Sequence, residues 1–173
     1  MTRILTTMAA ALLAFAAAGC VCKVPPPFHL TLEADRDLNP DKEGNFHATK
    51  VLVLQLKTLE AIATADFNVV RKTPAVALGE TLVGEPVEMS VEPGAAESRW
   101  LAREKEARYV ATVANFQLPT TKWWAAHKLG RVAPLQCREV SPDAFEGRRP
   151  YPTEEQMRFY LKGSDITLEE PRS

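Results

Sequence analysis

Oxygen-bearing side chains recur at every second position in Asp35-Arg36-Asp37-Leu38-Asn39-Pro40-Asp41-Lys42-Glu43. That is the spacing with which a twelve-residue calcium loop sets its ligands at positions one, three, five, seven and nine. Such a loop is strict at two further places. Position six needs Gly for the sharp turn and position twelve a bidentate Glu, whereas this chain has Pro40 and Phe46 there. The run is better explained as turn chemistry, with Asn39-Pro40-Asp41 and Gly44 joining two strands. No other reactive set assembles. His29, His47 and His127 are far apart, and none lies in an HExxH sequence. There is no GxSxG nucleophile elbow and no glycine-rich phosphate loop. Carboxylates are plentiful, but on turns and charged faces, where solvation is the default. The expectation is a protein without catalytic residues, resident metal or cofactor. A hydrolase with a dispersed site is the remote alternative, because no nucleophile can be paired with a base.

Cys20 is the residue with distinctive chemistry. Residues 4 to 18 (ILTTMAAALLAFAAA) carry no charge and follow a lone Arg3, the pattern of a secretory signal. The stretch is too short to span a bilayer, which needs about 20 apolar residues. It ends in Ala17-Ala18-Gly19-Cys20, small residues before a cysteine, as in the lipobox of bacterial lipoproteins. There the thiol receives a diacylglyceryl group, the signal (residues 1–19) is cut away, and the new amine is acylated. The usual Leu three residues before the cysteine is Ala17 here. The bland alternative is an ordinary signal cut after Ala16-Ala17-Ala18. Several acyl chains, each adding roughly 0.8 kcal/mol per buried methylene, would make the anchor permanent. Val21, not Asp, follows the cysteine, which points to the periplasmic face of the outer membrane. Residues 20–27 then read as lipidated cysteine plus tether, since Pro25-Pro26-Pro27 favours an extended, semi-rigid segment. Cys22 and Cys137 could pair in an oxidising periplasm. Two unpaired thiols is the favoured reading, because Cys22 precedes the folded core and nothing fixes its geometry.

The chain has 173 residues, of which 46% are apolar and 25% charged. Removal of the signal leaves 154 residues, enough for one domain. Only Arg3 leaves with it, so 20 basic face 22 acidic side chains, a net charge of −2. That balance excludes a basic nucleic-acid surface.

Strand periodicity dominates residues 28–173. Phe28, Leu30, Leu32 and Ala34 alternate with polar residues, predicting a half-buried strand. Residues 49 to 57 (TKVLVLQLK) predict a strand covered on both faces. Val87, Met89 and Val91 alternate before the turn at Glu92-Pro93-Gly94. Residues 108 to 117 (RYVATVANFQ) form the longest β-favouring run, and residues 122 to 129 predict a short strand. Met157, Phe159 and Leu161, the turn at Gly163-Ser164, then Ile166 and Leu168 predict a hairpin. Helical spacing is confined to residues 58 to 70 (TLEAIATADFNVV), with Pro74 beyond the end. Residues 98 to 107 suit a helix by propensity, or equally a strand entering a charged turn. Trp123 and Trp124 could form a ligand platform. Strand alternation argues instead that one fills the core while the other covers an edge or joins an interface. The segment 133–153, with Pro134, Pro142, Pro150 and Pro152, reads as a long surface loop. Many short strands and little helix predict an all-β protein, a two-sheet sandwich with a small helical insertion.

The succession of features resembles one family. The lipobox is followed by a strand, Leu38-Asn39-Pro40-Asp41 with Gly44, and a hydrophobic strand ending Gln55-Leu56. Then come Ala65-Asp66-Phe67, Leu78-Gly79, Glu92-Pro93-Gly94, Ala107-Arg108-Tyr109-Val110 into Val113-Ala114-Asn115-Phe116, and Trp123-Trp124. This is similar to the TssJ (VasD/Lip) family of type VI secretion outer-membrane lipoproteins, over Phe28 to about Leu129. The resemblance implies a transthyretin-like β-sandwich without catalysis. It implies a tether that holds the secretion membrane complex to the outer membrane by binding the periplasmic domain of TssM, which associates with TssL. The family's contact is the loop between the first two strands, here Asp35 through Phe46. Within it Leu38 is expected as an apolar anchor, with Asp37, Asn39, Pro40 and Asp41 as polar or turn-forming members. The competing expectation is a periplasmic ligand-binding or transport lipoprotein with a pocket between the sheets near Trp124.

Overall fold

β1 (Phe28–Ala34) is the alternating strand that the sequence predicts, with Phe28, Leu30, Leu32 and Ala34 buried. The computed structural model describes residues 25–131, 147 and 154–168. The signal, Cys20, Cys22, Cys137 and all of the 133–153 stretch but Gly147 lie outside the described residues. Pro25 and Pro27 are buried, so the end of the proline run packs with the domain rather than acting as free spacer.

Eight strands form two four-stranded sheets. The first has the order β4 (Ala96–Leu101), β1, β7 (Gln156–Lys162), β8 (Asp165–Leu168). The second has the order β3 (Leu82–Val91), β2 (Thr49–Leu56), β5 (Tyr109–Ala114), β6 (Trp124–Lys128). All neighbours are antiparallel except β1 and β7, which run parallel from His29 opposite Gln156 to Ala34 opposite Leu161. The segment 98–107 resolves to strand followed by a turn, because Trp100 and Leu101 are buried while Arg99 and Ala102 face solvent.

β2 is apolar on both faces because it has two cores to serve. Val51 and Val53 point between the sheets, where they meet Leu30, Leu32, Met89 and Phe159. Leu54 and Leu56 point outward with Ala111 and Val113, and a helical layer covers them. This layer is where the structure departs from the expected single helix over 58–70. Three short helices stand there instead: α1 (Glu60–Thr64), α2 (Phe67–Lys72) and α3 (Pro74–Leu78). The break has a local cause. Asp66 is extended and its carboxylate accepts the N–H groups of Asn68 and Val69, so a new helix starts there. Pro74 opens α3 at its first turn, where a missing N–H costs nothing. Ile62, Val70 and Leu78, one from each helix, close over the sheet. Asp66→Ala is expected to cost about 1 kcal/mol of stability, measured by urea unfolding, with the sheet register intact.

The tryptophans correct a second expectation. Trp123 precedes β6, so strand alternation does not apply to it, and both rings pack against the outer, helix-covered cluster. Trp123 lies 5.4 Å from the Phe67 ring and 6.3 Å from Trp124. Neither ring fills the space between the sheets, which aliphatic and phenyl side chains occupy.

A polar bridge joins the sheets at the start of β7. Glu155 enters β7, and its carboxylate pairs with His127 Nε2 of β6 at 2.9 Å and accepts the Gly130 N–H at 3.0 Å. Arg103 donates to the Gly130 carbonyl at 2.8 Å. The His127 hydrogen bond, helped by the Gly130 N–H and Arg103, holds the Glu155 carboxyl below its usual range against the opposing effect of burial. A depressed folded pKa means that the stabilisation is present above the ordinary glutamate value, about 4.3. It fades as pH falls through the folded value. Glu155→Gln is therefore expected to cost about 1–2 kcal/mol at neutral pH. Its deficit should shrink when denaturation is repeated at about pH 3.

Candidate partner-binding site

The β1–β2 loop, residues 35–48, is a pinned hairpin on one end of the sandwich. Its base is tied by Asp35 and Asp37. Asp35 accepts the Tyr160 hydroxyl at 3.0 Å, and Asp37 accepts the Gly163 N–H at 3.1 Å. Hydrogen bonds donated by the Arg36 backbone N–H and then by the Tyr160 hydroxyl hold the Asp35 carboxyl below its usual value.

Leu38 and Asn39 form the root. Leu38 is fully buried in the inter-sheet core. Asn39 is 3% exposed and takes a φ of +51°, a left-handed conformation that Asn tolerates better than most residues. Its N–H donates to the Gly163 carbonyl at 2.7 Å. Its side chain donates to the Ala48 carbonyl at 3.1 Å and accepts the Gln117 N–H at 2.8 Å. One residue, through its side-chain amide and its backbone N–H, thus links the β1–β2, β5–β6 and β7–β8 connections.

Asp41 organises the tip. Pro40 and Phe46 form an antiparallel bridge. Between them Asp41 Oδ1 accepts the N–H groups of Glu43 and Asn45 at 2.9 and 2.8 Å. Oδ2 accepts Asn45 Nδ2 at 3.0 Å and pairs with His47 Nε2 at 2.8 Å. Those bonds, the His47 one foremost and then the Asn45 side chain, hold the Asp41 carboxyl far below its usual range. The oxygens that suggested calcium ligands are engaged in shaping the turn. Among the described residues no group of three or more His, Cys, Asp and Glu could hold a metal.

These contacts sort the expected site residues. Asp37, Asn39 and Asp41 are turn-forming, and Pro40 closes the bridge. Leu38 is fully buried, and its side chain packs into the inter-sheet core at the loop root, where burial of an apolar group is favourable. The apolar group on display is Phe46, 52% exposed, among the exposed residues Lys42, Glu43, Gly44 and Asn45. Its signal in the sequence was an aromatic residue in a polar loop.

Beside the loop lies an open cleft of about 380 Å³ between α2 and the β5–β6 connection, with Arg71, Asn115 and Gln117 on its walls.

The family model for type VI secretion lipoproteins (VasD, EvfM, TssJ) matches residues 26–136. The chain belongs to that family. The match covers the sandwich from the proline run through β6 and includes the whole loop just described. Solved structures share the type VI lipoprotein fold. TssJ1 of Pseudomonas aeruginosa is 18% identical, with 86% of this chain and 99% of that chain covered and a TM-score of 0.64. Lip of Serratia marcescens, described as a membrane-bound component of the type VI secretion system, is 20% identical, with 86% and 100% covered and a TM-score of 0.67. A chain in a structure described as the TssM C-terminal domain from EAEC is 18% identical, with 84% and 99% covered and a TM-score of 0.61. No curated protein matches the sequence. The two four-stranded sheets with few helices are thus the type VI lipoprotein architecture, as the resemblance implied.

Proposed function

We propose that this type VI secretion lipoprotein is a non-enzymatic tether, anchored by lipid on Cys20 in the periplasmic face of the outer membrane. Through its β1–β2 loop it binds the periplasmic domain of TssM, and through TssM is coupled to TssL. The observation that carries the reading is the loop itself. A rigid hairpin, held at its root by Asn39 and at its tip by Asp41, displays a half-exposed phenyl ring to solvent. A preorganised loop binds with little ordering cost, and an exposed aromatic is a favoured anchor at an interface. The loop also falls inside the residues that the family model covers.

The test is capture of the purified TssM periplasmic domain by the mature chain, with residues 42–46 replaced by a glycine–serine segment as control. Capture by the native loop and loss with the replacement is the expected result. Equal capture by both removes the loop from the interface. The transport reading requires a cavity between the sheets near Trp124. Phe28, Leu30, Leu32 and Phe159 fill that interior, and Trp124 packs on the opposite face of its sheet.

A further inference from the structure

The cleft beside the loop holds a cation with an unmatched donor. Phe67, Asn68 and Arg71 line it from α2, and Asn115, Gln117 and Pro119 from the β5–β6 connection. No acidic side chain is among the residues lining it. The Arg71 guanidinium is held in place on one side only. Its Nη1 donates to Asn115 Oδ1 at 3.1 Å, and its central carbon lies 5.7 Å from the centre of the Phe67 ring. Its Nε is buried and has no acceptor among the described residues. A buried donor left without an acceptor is costly, and more so on a charged group. A guanidinium presents parallel N–H groups that match a carboxylate in two bonds at once. With Nη1 on Asn115, the Nε side of the fork remains for such a ligand. Nε is shielded from water, so the ligand has to displace part of the lining, and a two-bond match offsets that displacement.

The cleft wall and the loop root are joined by a hydrogen bond. Gln117 on the cleft wall donates its N–H to Asn39 Oδ1 at the loop root, and the next residue, Leu118, is 42% exposed. A protein seated on the loop that extends over the β5–β6 connection would reach the cleft. We propose that this cleft is a carboxylate-binding site in which Arg71 receives an Asp or Glu side chain of the protein docked on the β1–β2 loop. The identity of that protein rests on the function proposed above; the carboxylate chemistry does not.

Two peptides test the site directly on the mature chain, by following the Arg71 Nε–H resonance. Acetyl-Ala-Asp-Ala-amide carries only a side-chain carboxylate, and acetyl-Ala-Asn-Ala with a free C-terminus carries only a terminal one. The expected result is a saturable shift with the first peptide, absent with Arg71→Gln. A shift with neither, or with the free terminus alone, overturns the assignment. In the second arm, Arg71→Gln should weaken binding of the TssM periplasmic domain about tenfold, with Arg71→Lys recovering only part. Circular dichroism should show the variant folded at the assay temperature. Asn68→Asp adds a competing negative charge beside Arg71 and should weaken binding as well, which keeps the test open if Arg71→Gln unfolds. Unchanged binding in both variants overturns the proposed occupant. If the native chain fails to bind the TssM domain at all, the function proposed above falls, and the peptide titration still decides the site.

Discussion

Cys20→Ser is expected to remove the protein from the outer-membrane fraction and to abolish type VI secretion. The hydroxyl of serine cannot take the place of the thiol in the thioether that carries the diacylglyceryl group, so neither lipidation nor the cleavage that follows it takes place at residue 20. The effect should be all or none. Each buried methylene contributes roughly 0.8 kcal/mol, so losing several acyl chains removes far more than a surface contact could restore. Membrane fractionation with a secretion assay checks it. A variant that still sediments with the outer membrane and secretes normally would sink the anchor reading.

The second large effect separates the two apolar residues of the β1–β2 loop. Leu38→Ala should destabilise the domain by about 3 kcal/mol, because Leu38 is fully buried and truncation leaves a cavity between the sheets. Its TssM binding should fall only as far as its folded fraction falls. Phe46→Asp should do the opposite. With 52% of its surface exposed, Phe46 contributes little to the fold, so the unfolding midpoint should stay within about 0.5 kcal/mol of native. TssM capture should drop at least tenfold, the usual cost of losing an aromatic anchor, roughly 1.4 kcal/mol or more. Denaturation and capture measured on the same two preparations decide the matter. Loss of capture in Leu38→Ala at full folding, with none in Phe46→Asp, would return the contact to Leu38.

What was legible in the sequence is what a short period can write. β1 and the closing hairpin alternate with period two and bury Phe28, Leu30, Phe159 and Ile166 as that period requires. β2 is apolar on both faces and is covered on both, by the opposite sheet and by the helices. The turn at Asn39-Pro40-Asp41 was also legible, because Asn and Asp side chains satisfy the backbone of their own loop. Local spacing placed a helical insertion after β2, over 58–70, but missed its break at Asp66 and its continuation to Leu78. It could not show that Asp66 would cap a new helix rather than extend the old one.

The rest depended on groups that only the fold brings together. No local pattern tells a parallel β1–β7 pair from an antiparallel one, since the partners are over 120 residues apart in sequence. The same holds for the bridge from His127 to Glu155, the link from Asn39 to Gln117 and the contact of Arg71 with Asn115. The sequence by itself determined the strand-rich class and the existence of a shaped loop after the first strand, and it set the expectation of a secretory signal. Tertiary structure alone decided which of that loop's apolar side chains faces inward. Leu38 and Phe46 are both apolar residues in a polar stretch, and their burial depends on whether other segments pack over them.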